Sequence, residues 1–408
     1  MNELSSLGLI LLLALLAGHV VKFLRIPEVT GYILAGIALG PSFLGWLSHE
    51  NLSTLSIFSE VTLGLILFSV GGVFDISKIG SNGRRIVILT LIESFLAAGL
   101  VFGTMLAFGQ RWEIGILLGA IAMETAVASS LMVIRELDPL GPLTDTLMAV
   151  MAFNNILALV AFSLVSAFLE LKAGLSADLT ILRVLYEALF PLVWQLIGST
   201  ALGYLCGLML ATWASQVTEH GEMLILLSGA VLLTVGASRW LELSPLLASL
   251  AVGATMVNFS GRSDTLFKTL SRTDPPLYAI FFVIAGADLN VSLITTIGFL
   301  GLAYVVARAA GKFFGASIGA RYLDFEPAVK RYLGYTLFTQ AGLAIGITFV
   351  VQRQFPELAP TVNTVVLASI VIYEVVGPLS TKFAFIRSGE VQATPSSGEP
   401  AEAGALQL

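Results

Sequence analysis

The chain has 408 residues, 56% of them hydrophobic and only 12% charged, with a formal net charge of −6. A soluble globular domain carries about 25% charged residues, so a chain this apolar has lipid as its solvent. Nothing in it points to nucleic acid or a cofactor, and no zinc spacing, phosphate-binding Gly-Lys-Ser/Thr loop or nucleophile elbow marks an enzyme.

A bilayer-spanning helix needs about 20 mostly apolar residues. Thirteen stretches qualify, at roughly 5–24, 29–47, 53–74, 84–109, 112–134, 143–169, 185–214, 222–240, 243–259, 274–290, 294–320, 328–352 and 361–386. The first has no basic region and no small-residue cleavage site after it, so it reads as a span and not a removed signal peptide. His19 within it is expected to be packed against apolar neighbours, whereas His49 and His220 fall in or near loops. Asp75, Asp288 and Asn290 follow Gly pairs close to span ends and are expected as caps or interface groups. Cys206 lies in an apolar run and is expected as a buried, inert thiol. Residues 388–408, rich in Ala, Gly, Ser, Pro and Glu, read as a disordered cytoplasmic tail after a transmembrane domain over 1–387.

An odd span count puts the termini on opposite sides, and basic residues favour the cytoplasm. With the N-terminus outside, the cytoplasmic segments hold Lys22, Arg25, Lys78, Arg84, Arg85, Arg135, Arg262, Lys268, Arg272, Arg321, Lys330, Arg331, Lys382 and Arg387. The other side holds Arg111, Lys172, Arg183, Arg239 and Arg353. The expected place is the inner (plasma) membrane, with the C-terminus cytoplasmic.

The sequence also resembles itself at an offset of about 215 residues. Pro27 aligns with Pro245, Gly36 with Gly253, Gly72 with Gly286, Glu93 with Arg308, and Glu124 and Thr125 with Thr339 and Gln340; after a small further shift Asn155 aligns with Glu374. The copies, at about 4–170 and 222–387 with a linking span at 185–214, begin on opposite sides. Inverted repeats of this kind are typical of secondary transporters, whose site lies at the midplane where broken helices meet.

An ionisable side chain at the centre of a membrane helix costs about 2.5–3.5 kcal/mol on insertion scales, so each needs a reason. Glu93, Glu124, Arg308, Lys312 and Glu374 all fall inside spans. Glu124 lies in a stretch dense in small residues and carrying Thr125, Ser129 and Ser130; its counterpart carries Thr339 and Gln340. Small residues and free hydroxyls let a helix unwind and present carbonyls to an ion. Two such broken helices crossing would gather Glu124, Thr125, Thr339 and Gln340; alternatively, Glu124 is a fixed counter-ion of Arg308. Asn154 and Asn155 lie mid-span and serve either as cation ligands through their amide oxygens or as interhelical glue. Arg308 keeps its charge and needs a carboxylate, helix C-terminal carbonyls or an anion, with Glu93 and Glu124 as the foremost partners. Lys312 is expected to snorkel toward an interface, and Glu374, just before Gly377-Pro378, to tie helices together as a charge-pairing residue.

The segments "LRIPEVTGYILAGIALGPSFLGW", "LGLILFSVGGVFDISKI", "FFVIAGADLNVSLI", "ARAAGKFFGA" and "VIYEVVGPLS", in that order, resemble the monovalent cation:proton antiporters of the sodium/proton exchanger superfamily over about residues 5–387. That resemblance implies an all-α integral membrane fold with two crossed broken helices, a homodimer, and elevator-like exchange of sodium, potassium or lithium for protons. It places Arg308 at the family's basic position and Thr125 at its broken-helix threonine. Asn154-Asn155 stands where the family has Asp-Asp or Asn-Asp, and an amide cannot titrate. Glu124 is then the nearest acid to take over, with the cation held at Glu124, Asn154 and Asn155. The alternatives are a same-fold transporter of a small anion or other solute meeting Arg308, and a non-transporting sensor or channel-like subunit.

Overall fold

The computed structural model describes residues 3–72, 74, 83–174, 190, 193–217, 219–273, 275–289, 291, 293 and 298–391. Asp75, Asn290, residues 175–189, which include the first residues of the linking span expected at 185–214, and the tail from 392 lie outside them. The N-terminal half forms α1 (Glu3–Phe23), α2 (Glu28–Leu39), α3 (His49–Gly71), α4 (Gly83–Ala107), α5 (Trp112–Ala122), α6 (Val127–Leu137) and α7 (Pro142–Gly174). A π-helical turn, Trp194–Gly198, leads into α8 (Ser199–Ala214). There follow α9 (His220–Trp240), α10 (Pro245–Phe259), α11 (Ser263–Thr273), α12 (Pro275–Asp288), α13 (Gly298–Tyr322), α14 (Pro327–Thr336), α15 (Gly342–Gln354) and α16 (Ala359–Ser388). The fold is all-helical, as the hydropathy pattern requires.

Among the described residues, eight helical stretches are long and apolar enough to cross a bilayer, and four shorter apolar helices accompany them. Large apolar side chains such as Leu12, Leu15 and Leu16 on α1, Leu233 on α9 and Phe299 and Val306 on α13 are exposed on the outer surface. A soluble monomer rarely shows such patches; here they face lipid. The expected spans at 112–134 and 328–352 are each split, the first into α5 and α6, the second into α14 and α15. Helix α11 falls in a stretch read as a loop. Its Leu266 and Leu270, one turn apart, are buried while Lys268 is exposed.

The helices pack as two groups. In one, α13 lies along α4 and meets α14, while α5, α7 and α16 complete the group. In the other, α2 crosses α12, and α10 lies between α3 and α8. Backbone contact, made possible by glycine, defines these crossings: a Cβ on Gly36 would overlap the Val283 carbonyl, and one on Gly253 would overlap the Phe68 carbonyl. The contacts are reciprocal, Gly36 meeting Gly286 and Gly71 meeting Gly253.

Three expectations at the margins change. His19 is exposed, its Nδ1 2.8 Å from the Leu15 carbonyl oxygen, because α1 turns that face outward. Cys206 is half-buried. The chain past Ser388 is still engaged: Glu390 accepts hydrogen bonds from the Leu143 and Thr144 amides at 2.7 and 3.0 Å. It caps the free N–H groups that begin α7, so any tail starts beyond Val391.

Candidate functional site

The two split spans cross where their helices stop. Residues 123–126 link α5 to α6, and 337–341 link α14 to α15. The links bond each other: the Ala126 amide donates to the Thr339 carbonyl at 3.1 Å, and Thr339 Oγ1 donates to the Ala126 carbonyl at 2.9 Å. Ser130 Oγ lies 3.2 Å from Thr339 Oγ1. Gln340 Nε2 donates to the Ile121 carbonyl at 3.2 Å, and its Oε1 accepts from Ser369 Oγ at 3.2 Å. Small residues allow the approach: Gly377 of α16 leaves no room for a Cβ against Thr339.

Breaking a helix frees carbonyls at the first half's C-terminal end, which carries partial negative charge. Arg308 answers both ends at once. Its Nη2 donates to the Glu124 carbonyl at 2.6 Å and to the Thr339 carbonyl at 3.1 Å, and its Nη1 donates to the Phe338 carbonyl at 2.8 Å. The guanidinium stacks over Tyr373 with Cζ 4.5 Å from the ring centroid. The expected carboxylate partner is absent from these bonds; of the partners open to Arg308, the helix carbonyls are the ones it takes. The reason is geometric, since one planar fork reaches carbonyls from both links.

Lys312 does not snorkel. It is fully buried, its Nζ 3.1 Å from Glu93 Oε2, and it also donates to the Met123 carbonyl at the end of α5. Glu93 thus pairs with Lys312, one turn from Arg308. Its Oε1 accepts from Asn154 Nδ2 at 2.5 Å and from Ser94 Oγ at 3.1 Å. Asn154 Nδ2 also reaches Thr125 Oγ1 at 3.2 Å. Asn154 and Thr125 therefore belong to the Glu93–Lys312 cluster, behind the crossing.

Glu124 and Asn155 face the other way, into a cavity of about 350 Å³ between the two helix groups. Glu124 is 1% exposed; its Oε1 accepts from the Ala341 amide at 3.4 Å, at the start of α15, and its Oε2 has no hydrogen-bond partner. Asn155 Nδ2 donates to the Thr125 and Met151 carbonyls at 3.1 and 2.8 Å. Glu374 and Ser129 line the same cavity, and the rest of its wall is mostly apolar, including Ile33, Leu67 and Phe281. Glu374 has no cationic partner among the described residues, contrary to the charge-pairing expectation. Its Oε2 accepts from Ser129 Oγ at 2.7 Å, and its Oε1 is unpartnered. The expected grouping of Glu124 with Asn154 and Asn155 holds for Asn155 alone, because successive residues on a helix point about 100° apart.

The cavity lies toward one end of α12, where Asp288 and Leu289 line it. At the other end of α12 the two helix groups are tied. Arg135 on α6 lies over the Tyr278 ring with Cζ 4.8 Å from its centroid, and its Nη2 donates to Ser69 Oγ on α3 at 2.9 Å. Glu136 Oε2 accepts from the Glu28 amide at the start of α2 at 2.6 Å, and its Oε1 accepts from Lys382 Nζ at 2.9 Å. The sequence alone gives Glu136 no role and places Arg135 only among the cytoplasmic basic residues. The Arg-Glu pair at the end of a small-residue helix was the available signal.

Residues 8–387 match the family described as sodium/hydrogen exchanger, transmembrane. The chain is 25% identical over 342 residues to the ammonium/H+ antiporter subunit AmhT of Alkalihalophilus pseudofirmus, spanning 83% of this chain and 84% of that protein. It is 24% identical over 349 residues to the Na+/H+-K+ antiporter GerN of Bacillus cereus, spanning 83% and 85%. The structure of the sodium proton antiporter MjNhaP1 from Methanocaldococcus jannaschii at pH 8 superposes with a TM-score of 0.66 at 19% identity, over 94% of this chain and 98% of that one. An electron-microscopy structure of the same antiporter gives a TM-score of 0.70 at 19% identity, over 96% and 99%. At that identity the structural likeness speaks for the fold.

Proposed function

The chain belongs to the sodium/hydrogen exchanger family of multi-pass membrane proteins, and on that premise we propose that it is a secondary active transporter exchanging a monovalent cation, sodium or potassium, for protons. The observation that carries this reading is a charge count. The buried interior around the crossing holds the cations Arg308 and Lys312 and the carboxylates Glu93, Glu124 and Glu374. Glu93 is matched by Lys312 and one further carboxylate by Arg308. One negative charge is left over, and it faces the cavity. A desolvated, unmatched charge is too costly to persist, so the site must hold either a proton or a cation. That is the competition an exchanger needs, and it survives the loss of an aspartate at Asn155.

Glu124 is the titrating ligand in this reading, with Asn155 beside it. Thr125, Asn154, Thr339 and Gln340 hold the crossing that carries it. The anion alternative is disfavoured, because the terminal nitrogens of Arg308 are engaged with carbonyls and the cavity presents carboxylates. The reciprocal contacts of α2 with α12 and α3 with α10 support the inverted repeat. The cavity at one end of α12 and the Arg135–Glu136 tie at the other support an elevator movement of one helix group against the other. With the N-terminus outside, the tie closes the cytoplasmic end and the cavity faces outward. The expected homodimer belongs to the same reading.

The test is a proteoliposome assay with an imposed pH gradient, adding sodium, potassium, lithium or ammonium and reading internal pH. Cation-driven proton flux that disappears in Glu124→Gln is the expected result. Flat traces with all four cations in folded protein overturn the reading.

A further inference from the structure

Glu374 is 5% exposed and sits on α16, remote in sequence from Glu124. One of its oxygens accepts from Ser129 and the other is unpartnered, as is Glu124 Oε2, and both residues line the same cavity. Its surroundings are built for an ion. Pro378 has no N–H, so the helical bond that the Glu374 carbonyl would accept is missing and that oxygen is released. Gly377 brings this stretch of α16 against Thr339 at the crossing. A partly dehydrated monovalent cation takes carboxylate, carbonyl and amide oxygens, and the cavity wall offers these from α16, from the α5–α6 link and from α7.

We propose that Glu374 is a second cation-binding residue of the transport site, closing on the ion from α16 while Glu124 closes from the α5–α6 link, and that Ser129 is its positioning residue. This rests on the exchange reading above and deepens it. The charge count makes the two carboxylates share one proton or one cation, so neither alone defines the site. With glutamine at 374 the remaining carboxylate is matched by Arg308 and the demand for a counter-charge is gone. The titratable and charged groups around Glu374 are Glu124 and, at the cavity edge, Asp288. Behind the wall stand Arg308 and Lys312 on α13, with Tyr304 a turn before Arg308 and Tyr373 next along α16. The Lys382–Glu136 pair lies about two turns further along the helix.

The experiment uses the full chain in two assays: proton flux in proteoliposomes across sodium and potassium concentrations and pH, and thermal unfolding in detergent with sodium or potassium chloride against choline chloride. Glu374→Gln is expected to raise the KM for the cation at least about tenfold or to abolish exchange, and to remove cation-specific stabilisation. Glu374→Asp is expected to restore part of both. Ser129→Ala, which leaves both carboxylates in place, is expected to raise KM several-fold and shift the pH profile while changing kcat less. Wild-type KM and pH profile in Glu374→Gln overturn the proposal; if that variant fails to fold, an unchanged KM and pH profile in Ser129→Ala does so. If the wild-type protein exchanges no cation, the transport reading falls separately. Cation-specific stabilisation present in the wild type and lost in Glu374→Gln then still supports the site, and its absence from the wild type overturns it.

Discussion

The Glu93–Lys312 pair allows a quantitative test of how the interior is held. Both side chains are fully buried, 3.1 Å apart, with Asn154 and Ser94 donating to the carboxylate and Met123 accepting from the ammonium. Glu93→Gln keeps an oxygen for Asn154 and removes only the charge, leaving Lys312 with one carbonyl. Lys312→Met leaves Glu93 with two neutral donors and no cation. Breaking a buried pair from one side costs about 3–5 kcal/mol, whereas replacing both partners is near neutral or stabilising by about 1–4 kcal/mol. The two single variants are therefore each expected to lose about 3 kcal/mol, and the double variant about 1 kcal/mol or less, a coupling of about 5 kcal/mol. Reversible unfolding in mixed detergent micelles measures the cycle, with cation-driven flux retained in the double variant as a second readout. Additive single costs, with a coupling below about 0.5 kcal/mol, would show that the two groups do not depend on each other and would refute the charge count built on them.

Other outcomes follow from the same geometry. Arg308→Lys is expected to fail to rescue Arg308→Gln, because a point charge cannot span the Glu124, Phe338 and Thr339 carbonyls as the planar fork does; flux and thermal stability read this, and full activity of Arg308→Lys counts against the tie. Glu136→Ala removes the bonds to the Glu28 amide and Lys382. A loss of about 2 kcal/mol, roughly a 30-fold shift in the balance of conformers, is expected to raise labelling of a cysteine placed at Leu67 by a thiol reagent applied from the Glu136 side, and unchanged labelling refutes the latch. Gly311→Ala pushes a methyl into the Ala97 backbone and is expected to destabilise by about 1–3 kcal/mol. Gly8→Ala, with open space around it and inside α1, is expected to be neutral or stabilising by about 0.4–1 kcal/mol.

Much of the fold was readable because lipid leaves so few choices: long apolar runs have to be helices, and small-residue stretches with threonines mark where helices break. The gathering of Glu124 with Asn155, and of Thr339 with Gln340 at the crossing, followed from the same reading. The partners of the buried charges did not follow. Lys312 finds Glu93 across 219 positions, and a sequence offers no distance between them, so snorkelling looked cheaper. The sequence points Arg308 first to carboxylates, because free carbonyls exist only once a helix is broken and their directions are set by the break. Glu374 looked like a tie because its sequence neighbours are Gly and Pro. That it borders the same cavity as Glu124 depends on how α16 crosses the links.

The unmatched carboxylate charge has one more consequence, for the tightness of coupling. A transporter slips when its empty site returns across the membrane. In the proposed exchange the empty site would carry a net negative charge in a desolvated interior, and stripping water from such a charge costs several kcal/mol. Each 1.4 kcal/mol lowers the return rate about tenfold, so an unloaded passage is suppressed by about a thousandfold or more. On the proposed exchange, no separate device would be needed to forbid leak: with three carboxylates and two cations around the crossing, carrying something in both directions would be the cheapest way to move.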